Sequence, residues 1–334
     1  MGSRFACCCI ASEESQQPPA IVTNPRAIVN QIGQFCYTKI ALKFPHGTHG
    51  AAYNDNEKRF ECLEINEWLE ALYENTQWAP HPSQRDESTA LREETSRKAW
   101  THWIIYNDEH PPSSLEGSSM VRKGHCKGIL AWNDTHMSWL VHSVPNFPRM
   151  FTGATISEIE PSERIYGQSF MYVTRPADQA FIQKVINQLY HMEANIYMTH
   201  NYKVDHGVHY VPHDLMSTIV FSDTIQHIAK SPKYEVDIYS DFLVQYDLEW
   251  HVQTWKRGHL FKPSQCIKDV SSLNVRGAEY KDSQDHAKWA ISQRYYWIGD
   301  LNRMVSQMKR GGGGFLVKQK EIAEALRRCI VSVE

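Results

Sequence analysis

The sequence carries the same short motif twice, a histidine followed two residues later by a lysine. The first copy is His125–Lys127 (His-Cys-Lys) and the second is His286–Lys288 (His-Ala-Lys). In a β-strand, residues two apart point to the same face, so each copy can place an imidazole beside an ammonium group. Two such pairs facing each other would surround a phosphodiester with two histidines and two cations. The motifs therefore predict a fold that brings two distant segments together around one phosphate.

The motif alone is weak evidence, and its surroundings make it specific. With 17 histidines and 18 lysines in 334 residues, chance gives about one match. From about Phe35 to Phe315, the chain resembles the deoxyribonuclease II family, which belongs to the phospholipase D superfamily. The segments that carry this resemblance, besides the second motif, are Val121–Leu130, Trp139–Pro148, Tyr166–Ser169, Gly299–Asn302 and Arg310–Gly313.

The resemblance implies a phospholipase D-like fold of the mixed α/β class. In that fold two α/β halves are related by a pseudo-twofold axis, and the active site lies at the seam where the motifs meet. We expect the halves at residues 31–175 and 176–334, after a flexible N-terminal leader at residues 1–30. Each half repeats strands, a His-x-Lys strand and an asparagine-bearing segment, which agrees with this division. Periodicity alone predicts only a mixed α/β chain.

Periodicity and turn residues predict the main elements. Strands are expected at residues 35–42, 100–106, 137–144, 250–255 and 286–291, and a turn at 133–136 is expected to join the first motif strand to the next. Helices are expected at Glu64–Tyr73, from Pro176 onward, at Asn302–Met308 and at Lys318–Val331. The glycine run at residues 311–314 is expected to end the third of these helices.

The resemblance also implies an acid, metal-independent endodeoxyribonuclease that needs no cofactor. Its substrate would be DNA, double-stranded or single-stranded, and its products would carry 3′-phosphate and 5′-hydroxyl ends. A neutral histidine would attack phosphorus to form a phosphohistidine, and a protonated histidine would donate to the leaving 5′ oxygen. The catalytic residues carried over from the family are His125, Lys127, His142, Asn146, His286, Lys288 and Asn302.

These residues receive separate roles. We assign His125 as the nucleophile and His286 as the general acid. Lys127 and Lys288 would neutralise the phosphate oxygens, to which the two asparagines would donate hydrogen bonds. His142 has two interpretations: a third functional histidine, or a structural histidine that orients the site.

Two other functions stay open. One is a phospholipase D-type phosphodiesterase acting on lipid headgroups, and the other is a non-catalytic DNA-binding relative. Trp132 and Gln293 stand where the superfamily motif has an aspartate. Their presence weakens the lipid alternative and agrees with the deoxyribonuclease II branch. Both His-x-Lys motifs and both asparagines are intact, which argues against a non-catalytic relative.

The charge balance bears on DNA binding. The formal net charge is −3 with all histidines neutral. Protonation of all 17 histidines would bring it to about +14, so the protein would attract DNA only in acid. The histidine content is equally consistent with no such role. No stretch approaches the roughly 20 apolar residues that span a bilayer.

The sequence constrains the cellular location and the disulfide bonds of the protein less strongly. The resemblance implies a lysosomal, phagosomal or secreted protein, but residues 1–11 form a poor signal peptide, with one positive charge and a short, mildly apolar segment. Three of the eight cysteines are crowded at Cys7–Cys9, and a Cys266–Cys329 bridge is one option.

One histidine cluster invites a zinc site. His206, His209 and His213 have the spacing of ligands on one helical face. Gly207 and Pro212 disfavour that helix, so we expect a surface or DNA-facing loop instead.

Overall fold

The computed structural model describes residues 36–74, 100–111, 123–204, 214–256, 259, 261 and 264–334. The predicted leader, the Cys7–Cys9 cluster and the three histidines at 206–213 lie outside these residues. Among the described residues, no helix is long and apolar enough to cross a membrane.

Eight antiparallel strands form the first sheet. They are Tyr37–Lys43 (β1), His49–Asn54 (β2), Arg59–Glu64 (β3), His102–Asn107 (β4), Lys127–Trp132 (β5), His136–His142 (β6), Gln168–Pro176 (β7) and Ile196–His200 (β8). Their order across the sheet is β3-β2-β1-β7-β6-β5-β4-β8. The first motif therefore leads into a strand near the middle of the sheet.

Nine strands form the second sheet. They are Met216–Ser222 (β9), Ile225–Lys230 (β10), Trp250–Gln253 (β11), Ile267–Val275 (β12), Ala278–Lys281 (β13), Trp289–Ile291 (β14), Tyr295–Gly299 (β15), Gly312–Lys318 (β16) and Ile330–Val333 (β17). Their order is β13-β12-β11-β14-β15-β16-β10-β9, with β17 paired to β12. Among the strands of the described residues, only β11 and β12 pair in parallel. The second motif leads into the central strand β14.

Three α-helices accompany the sheets in the described residues: Ile65–Glu74 (α1), Gln179–His191 (α2) and Lys320–Arg327 (α3). The fold is therefore mixed α/β and mostly strands. A similar series of elements occurs twice. In the first sheet it is β4, β5, β6, β7, α2 and β8, and in the second it is β11, β14, β15, β16, α3 and β17. The first four strands of each series are neighbours in that order and pair antiparallel.

The two sheets share one hydrophobic core. Trp139 of β6 meets Phe315 of β16 with ring centroids 5.2 Å apart, and it lies 4.3 Å from the buried ring of His227 on β10. Cys126 and Ala287, the middle residues of the two motifs, are both buried in this core. Hydrophobic burial thus anchors both motifs between the same two sheets.

Most predicted elements are confirmed, with shifted ends. The first strand, the first helix, the strand at 100–106 and the hairpin after the first motif all form. The predicted strand 286–291 begins only at Trp289, and the last predicted helix divides into α3 and β17. Cys266 and Cys329 are free, so the bridge between them does not form.

The predicted helix start at Pro176 is wrong. Pro176 ends β7, and Asp178 caps α2 by accepting a hydrogen bond from the backbone N–H of Phe181 at 2.8 Å. After α2 the chain returns to the first sheet as β8. The division of the chain into halves at residue 176 stays a prediction.

The glycine run is a strand and not a helix stop. In place of the helix predicted at residues 302–308 there is a short 3₁₀ turn at Val305–Lys309, and Gly312–Gly314 then begin β16. A Cβ atom at Gly313 or Gly314 would come within 2.5 Å of the carbonyl oxygens of Ile228 and Ile298, respectively, on the flanking strands. Only glycine permits this close approach of backbones.

Candidate active site

His125 lies in a tight turn just before β5 and is tied to the second sheet. Its backbone N–H donates to the carbonyl of Gly311 at 2.8 Å, and its Nδ1 lies 2.7 Å from the carbonyl oxygen of Asp300. A carbonyl can only accept, so Nδ1 carries the proton and Nε2 keeps its lone pair. The side chain is buried, with 8% of the residue exposed. This fixes the imidazole in the tautomer that a nucleophilic Nε2 requires.

Burial lowers the pKa of His125 to about 3. The charges of Lys127, Lys288 and Arg310 act in the same direction, and Asp108 opposes them. His125 is consequently neutral throughout the mildly acidic range.

Lys127 is paired with acidic groups. Its ammonium forms a short ion pair with Asp108, which also binds Arg310 at 3.0 Å. Burial alone would lower the pKa of Lys127, but Asp108 and Glu109 outweigh burial and raise it. The backbone N–H of Lys127 faces Oδ1 of Asp300 at 3.4 Å. Lys127 is therefore a permanent cation.

His286 lies between two aromatic rings. The Tyr166 ring stacks on the imidazole at 4.1 Å and 10°, and the Trp255 ring meets it edge-on at 4.0 Å. Its backbone N–H donates to the carbonyl of Gly167, just before β7 of the first sheet, at 2.8 Å. The imidazole is half-buried, so it is more accessible than that of His125.

Lys288 is buried without the acidic pairing of Lys127. Its ammonium donates to the carbonyl of His286 at 2.6 Å, and its backbone N–H donates to Oγ of Ser169 at 3.1 Å. Burial lowers the pKa of Lys288 to about 7, and the charge of Lys127 acts in the same direction. Lys288 thus changes charge near neutrality.

Each motif is hydrogen-bonded to the other motif's sheet. His125 and Lys127 bond to residues 300 and 311 beside β15 and β16, while His286 and Lys288 bond to Gly167 and Ser169 beside and in β7. The charges of Lys127 and Lys288 also lower the pKa of His125, and the charge of Lys127 lowers the pKa of Lys288. These three predicted site residues therefore form one electrostatic cluster between the sheets.

His142 ends β6 and is almost completely buried. Its Nδ1 accepts from the backbone N–H of Val144 at 3.2 Å, so its Nε2 carries the proton. Nε2 has no hydrogen-bond partner among the described residues. Burial lowers the pKa of His142 to about 3, with Lys127 adding to the effect. The ring packs on Phe147 and Phe170. Both interpretations of this histidine stay open.

The two predicted asparagines differ in their surroundings. Asn146 has a left-handed backbone with φ of 52°, and its Nδ2 donates to Glu163 at 3.0 Å. Asn302 is buried, and its Oδ1 has no hydrogen-bond partner within the described part of the chain. That either asparagine donates to a phosphate stays a prediction.

Several site residues were not singled out by the sequence. Tyr166, Asp300 and Arg310 lie inside the segments that carry the family resemblance, so their position was a usable signal. Asp108 lies outside those segments and has no motif spacing to either lysine. Within the described ranges, no three His, Cys, Asp or Glu side chains are placed to hold a metal ion.

Comparison with known proteins gives concordant matches. The family model for deoxyribonuclease II matches residues 74–334, a span that includes both motifs. Mouse deoxyribonuclease-2-beta is 32% identical over 256 residues, which cover 68% of this chain and 70% of that protein. Pig deoxyribonuclease-2-alpha is 27% identical, covering 70% of each chain. Cell-death-related nuclease 7 of Caenorhabditis elegans is 26% identical, covering 71% of this chain and 70% of its own.

Proposed function

The chain belongs to the deoxyribonuclease II family, and we propose that it is an acid, metal-independent endodeoxyribonuclease that cleaves DNA through a phosphohistidine. The observation that carries the proposal is the buried cluster of His125, Lys127 and Lys288, to which both motifs contribute. A neutral imidazole beside two ammonium groups is suited to attack a phosphodiester.

The proposed reaction has two steps. In the first, Nε2 of His125 attacks phosphorus, the bond to the 5′ oxygen breaks, and protonated His286 donates its proton to that oxygen. In the second, neutral His286 takes a proton from water, and the resulting hydroxide displaces His125. The products are a 3′-phosphate and a 5′-hydroxyl. The Nδ1–H bond to the Asp300 carbonyl supports His125 as nucleophile, because it leaves Nε2 unprotonated.

We also propose that the two halves are related by a pseudo-twofold axis with the site at their seam. The reciprocal hydrogen bonds support this arrangement. Oδ2 of Asp300 accepts from the backbone N–H of Gly313 in β16 at 3.2 Å. Oγ of Ser143 accepts from the backbone N–H of Ser169 at the matching position of β7 at 2.9 Å. Equivalent positions thus make equivalent contacts.

The acid optimum has a physical basis in the same cluster. His125 must be neutral and is so above about pH 3, while Lys288 is charged below about pH 7. A neutral His125 and a charged Lys288 therefore coexist between about pH 3 and about pH 7. The need for a protonated His286 favours the acid side of that range. The two lysines would neutralise the phosphate and the two asparagines would donate hydrogen bonds to it, so the proposed reaction needs no metal ion.

Plasmid cleavage tests the proposal directly. Supercoiled DNA is incubated in EDTA from pH 4 to 8, with His125→Ala as control, and the product ends are labelled to identify 3′-phosphate. We expect activity peaking at about pH 4.5–6, in wild type only. Phosphatidylcholine is assayed in parallel. A neutral optimum with strict Mg²⁺ dependence, or turnover of the lipid alone, would contradict the proposal.

A further inference from the structure

We propose that Asp108 is a positioning residue that acts through Lys127 and is fixed in place by Arg310 from the second sheet. The inference rests on the proposed nuclease function and assigns a role within it. Asp108 touches neither histidine in a hydrogen bond, but its carboxylate binds both the motif lysine and this arginine.

The backbone around Asp108 is held rigidly. Asp108 directly follows β4, and the preceding residue, Asn107, is completely buried. The amide of Asn107 donates to the carbonyls of Val144 and Phe147 at 3.0 Å each. Its Oδ1 accepts from the backbone N–H of Glu109 at 3.0 Å. These bonds fix the chain on both sides of the carboxylate, and only 5% of the Asp108 side chain is exposed.

The two carboxylate oxygens have different partners. Oδ1 of Asp108 accepts from the ammonium of Lys127, and Oδ2 accepts from Nη2 of Arg310 at 3.0 Å. Arg310 also donates to the carbonyls of Lys123 and Gly124, at 2.8 and 3.2 Å. These are the two residues before the first motif. One ion-pair network therefore holds both the backbone before the first motif and the motif lysine. Asp108, which follows β4, supplies its negative charge, and Arg310, which precedes β16, supplies a positive charge.

The acidic groups that face Lys127 come from both sides of the site. Asp108 and Glu109 follow β4, and Asp300 follows β15; all three favour the charged form of Lys127 when they are ionised. The cationic or titratable groups coupled to this cluster include His125, Cys126, His142, Lys288 and Arg310. Asp108 is the only one of the acids that forms an ion pair with Lys127 in the described residues. Without Asp108, Lys127 would be a buried lysine with no ion-pair partner in the described residues, as Lys288 is.

The test compares Asp108→Asn with Glu109→Gln in the full-length protein. Both changes remove one negative charge without altering side-chain size, but Glu109 is exposed while the Asp108 carboxylate is buried. For Asp108→Asn we expect kcat on plasmid DNA to fall about 10- to 100-fold. KM should not rise, because losing a negative charge does not weaken attraction to DNA. The alkaline limb of kcat/KM should move to lower pH, since Lys127 loses its partner. Glu109→Gln should keep kcat within about twofold.

Asp108→Glu provides a second variant that is independent of charge removal. It keeps the carboxylate but displaces it by one methylene group, so we expect the wild-type alkaline limb with a reduced kcat. Thermal melting confirms that each variant is folded. If Asp108→Asn is unfolded, an Asp108→Glu variant with wild-type kcat overturns the inference. If Asp108→Asn folds and has the same kcat and pH profile as Glu109→Gln, the inference about Asp108 is wrong. The proposed function stands in that case as long as His125→Ala is inactive. An active His125→Ala would instead overturn the proposed function itself.

Discussion

The two His-x-Lys motifs have the same chemistry and different surroundings. The first is buried in a polar network, where a carbonyl fixes the imidazole and Asp108 holds the lysine. The second presents a half-buried imidazole between Tyr166 and Trp255. The ammonium of the lysine beside it, Lys288, donates only to a backbone carbonyl within the described structure. The two lysines thus acquire different proton affinities from their neighbours, and the two imidazoles differ in exposure. Different surroundings are what a reaction needs if one histidine attacks while the other is an acid.

The largest expected effect comes from the histidines. His125→Ala and His286→Ala should each reduce kcat about 10³-fold or more, and the double variant should be little worse, because the two act as a unit. The roles separate with a p-nitrophenyl phosphodiester, whose leaving group needs no protonation. Turnover of that substrate should recover in His286→Ala and not in His125→Ala. Equal recovery in both variants would mean that the two motifs are not divided into nucleophile and acid.

The lysines should differ in pH dependence. Alanine at either position should reduce kcat/KM about 10²-fold at pH 5, less than loss of a histidine. Lys288→Arg should extend activity above pH 7, because arginine stays charged where Lys288, with a pKa of about 7, loses its proton. Lys127→Arg should leave the alkaline limb in place, since the pKa of Lys127 is already raised. The measurement is kcat/KM from pH 4 to 8.5. If the alkaline limb moves in Lys127→Arg and not in Lys288→Arg, then Lys127, and not Lys288, is the lysine that loses its charge near neutral pH.

The aromatic surroundings of His286 should have a smaller effect. Removing the ring in Tyr166→Ala should reduce kcat about tenfold, because the stacked ring orients the imidazole. Tyr166→Phe keeps the ring and is the matched control, with near wild-type kcat. If the phenylalanine variant is as impaired as the alanine variant, the hydroxyl and not the stacking is what matters.

The smallest effect concerns stability at Asp300 and its counterpart Ser143. Burial raises the pKa of Asp300 to about 8, against about 3.9 in an unfolded chain. The folded protein therefore binds an extra proton between these values, and that contribution to stability is lost as pH rises toward 8. Asp300→Asn cannot ionise, so its Tm should fall less between pH 5 and 8 than that of wild type. Ser143→Ala should show the wild-type pH dependence. A parallel decline in all three proteins would exclude ionisation of Asp300 as a source of the slope.

Local sequence patterns were sufficient for elements whose neighbours lie nearby in the chain. The turn residues at 133–136 gave the β5–β6 hairpin, and the apolar spacing of residues 65–72 gave α1. Patterns failed where a distant contact decided the conformation. Gly312–Gly314 have the composition of a helix stop, yet they form a strand because they pair with distant segments in β10 and β15, whose Ile228 and Ile298 carbonyls leave no room for a side chain at Gly313 and Gly314.

By itself the sequence determined the two motifs, the residue types of the site and the family to which the chain belongs. Tertiary structure alone decided how the two copies differ. Asp108 lies 19 residues before Lys127, and Arg310 is 202 residues from Asp108. Tyr166 reaches His286 across the sheets. A proton's affinity for a side chain depends on burial and on charges within a few ångströms. Only folding sets those distances, so one copy of the motif became a buried histidine with an ion-paired lysine, and the other became a half-buried, ring-stacked histidine beside a buried lysine.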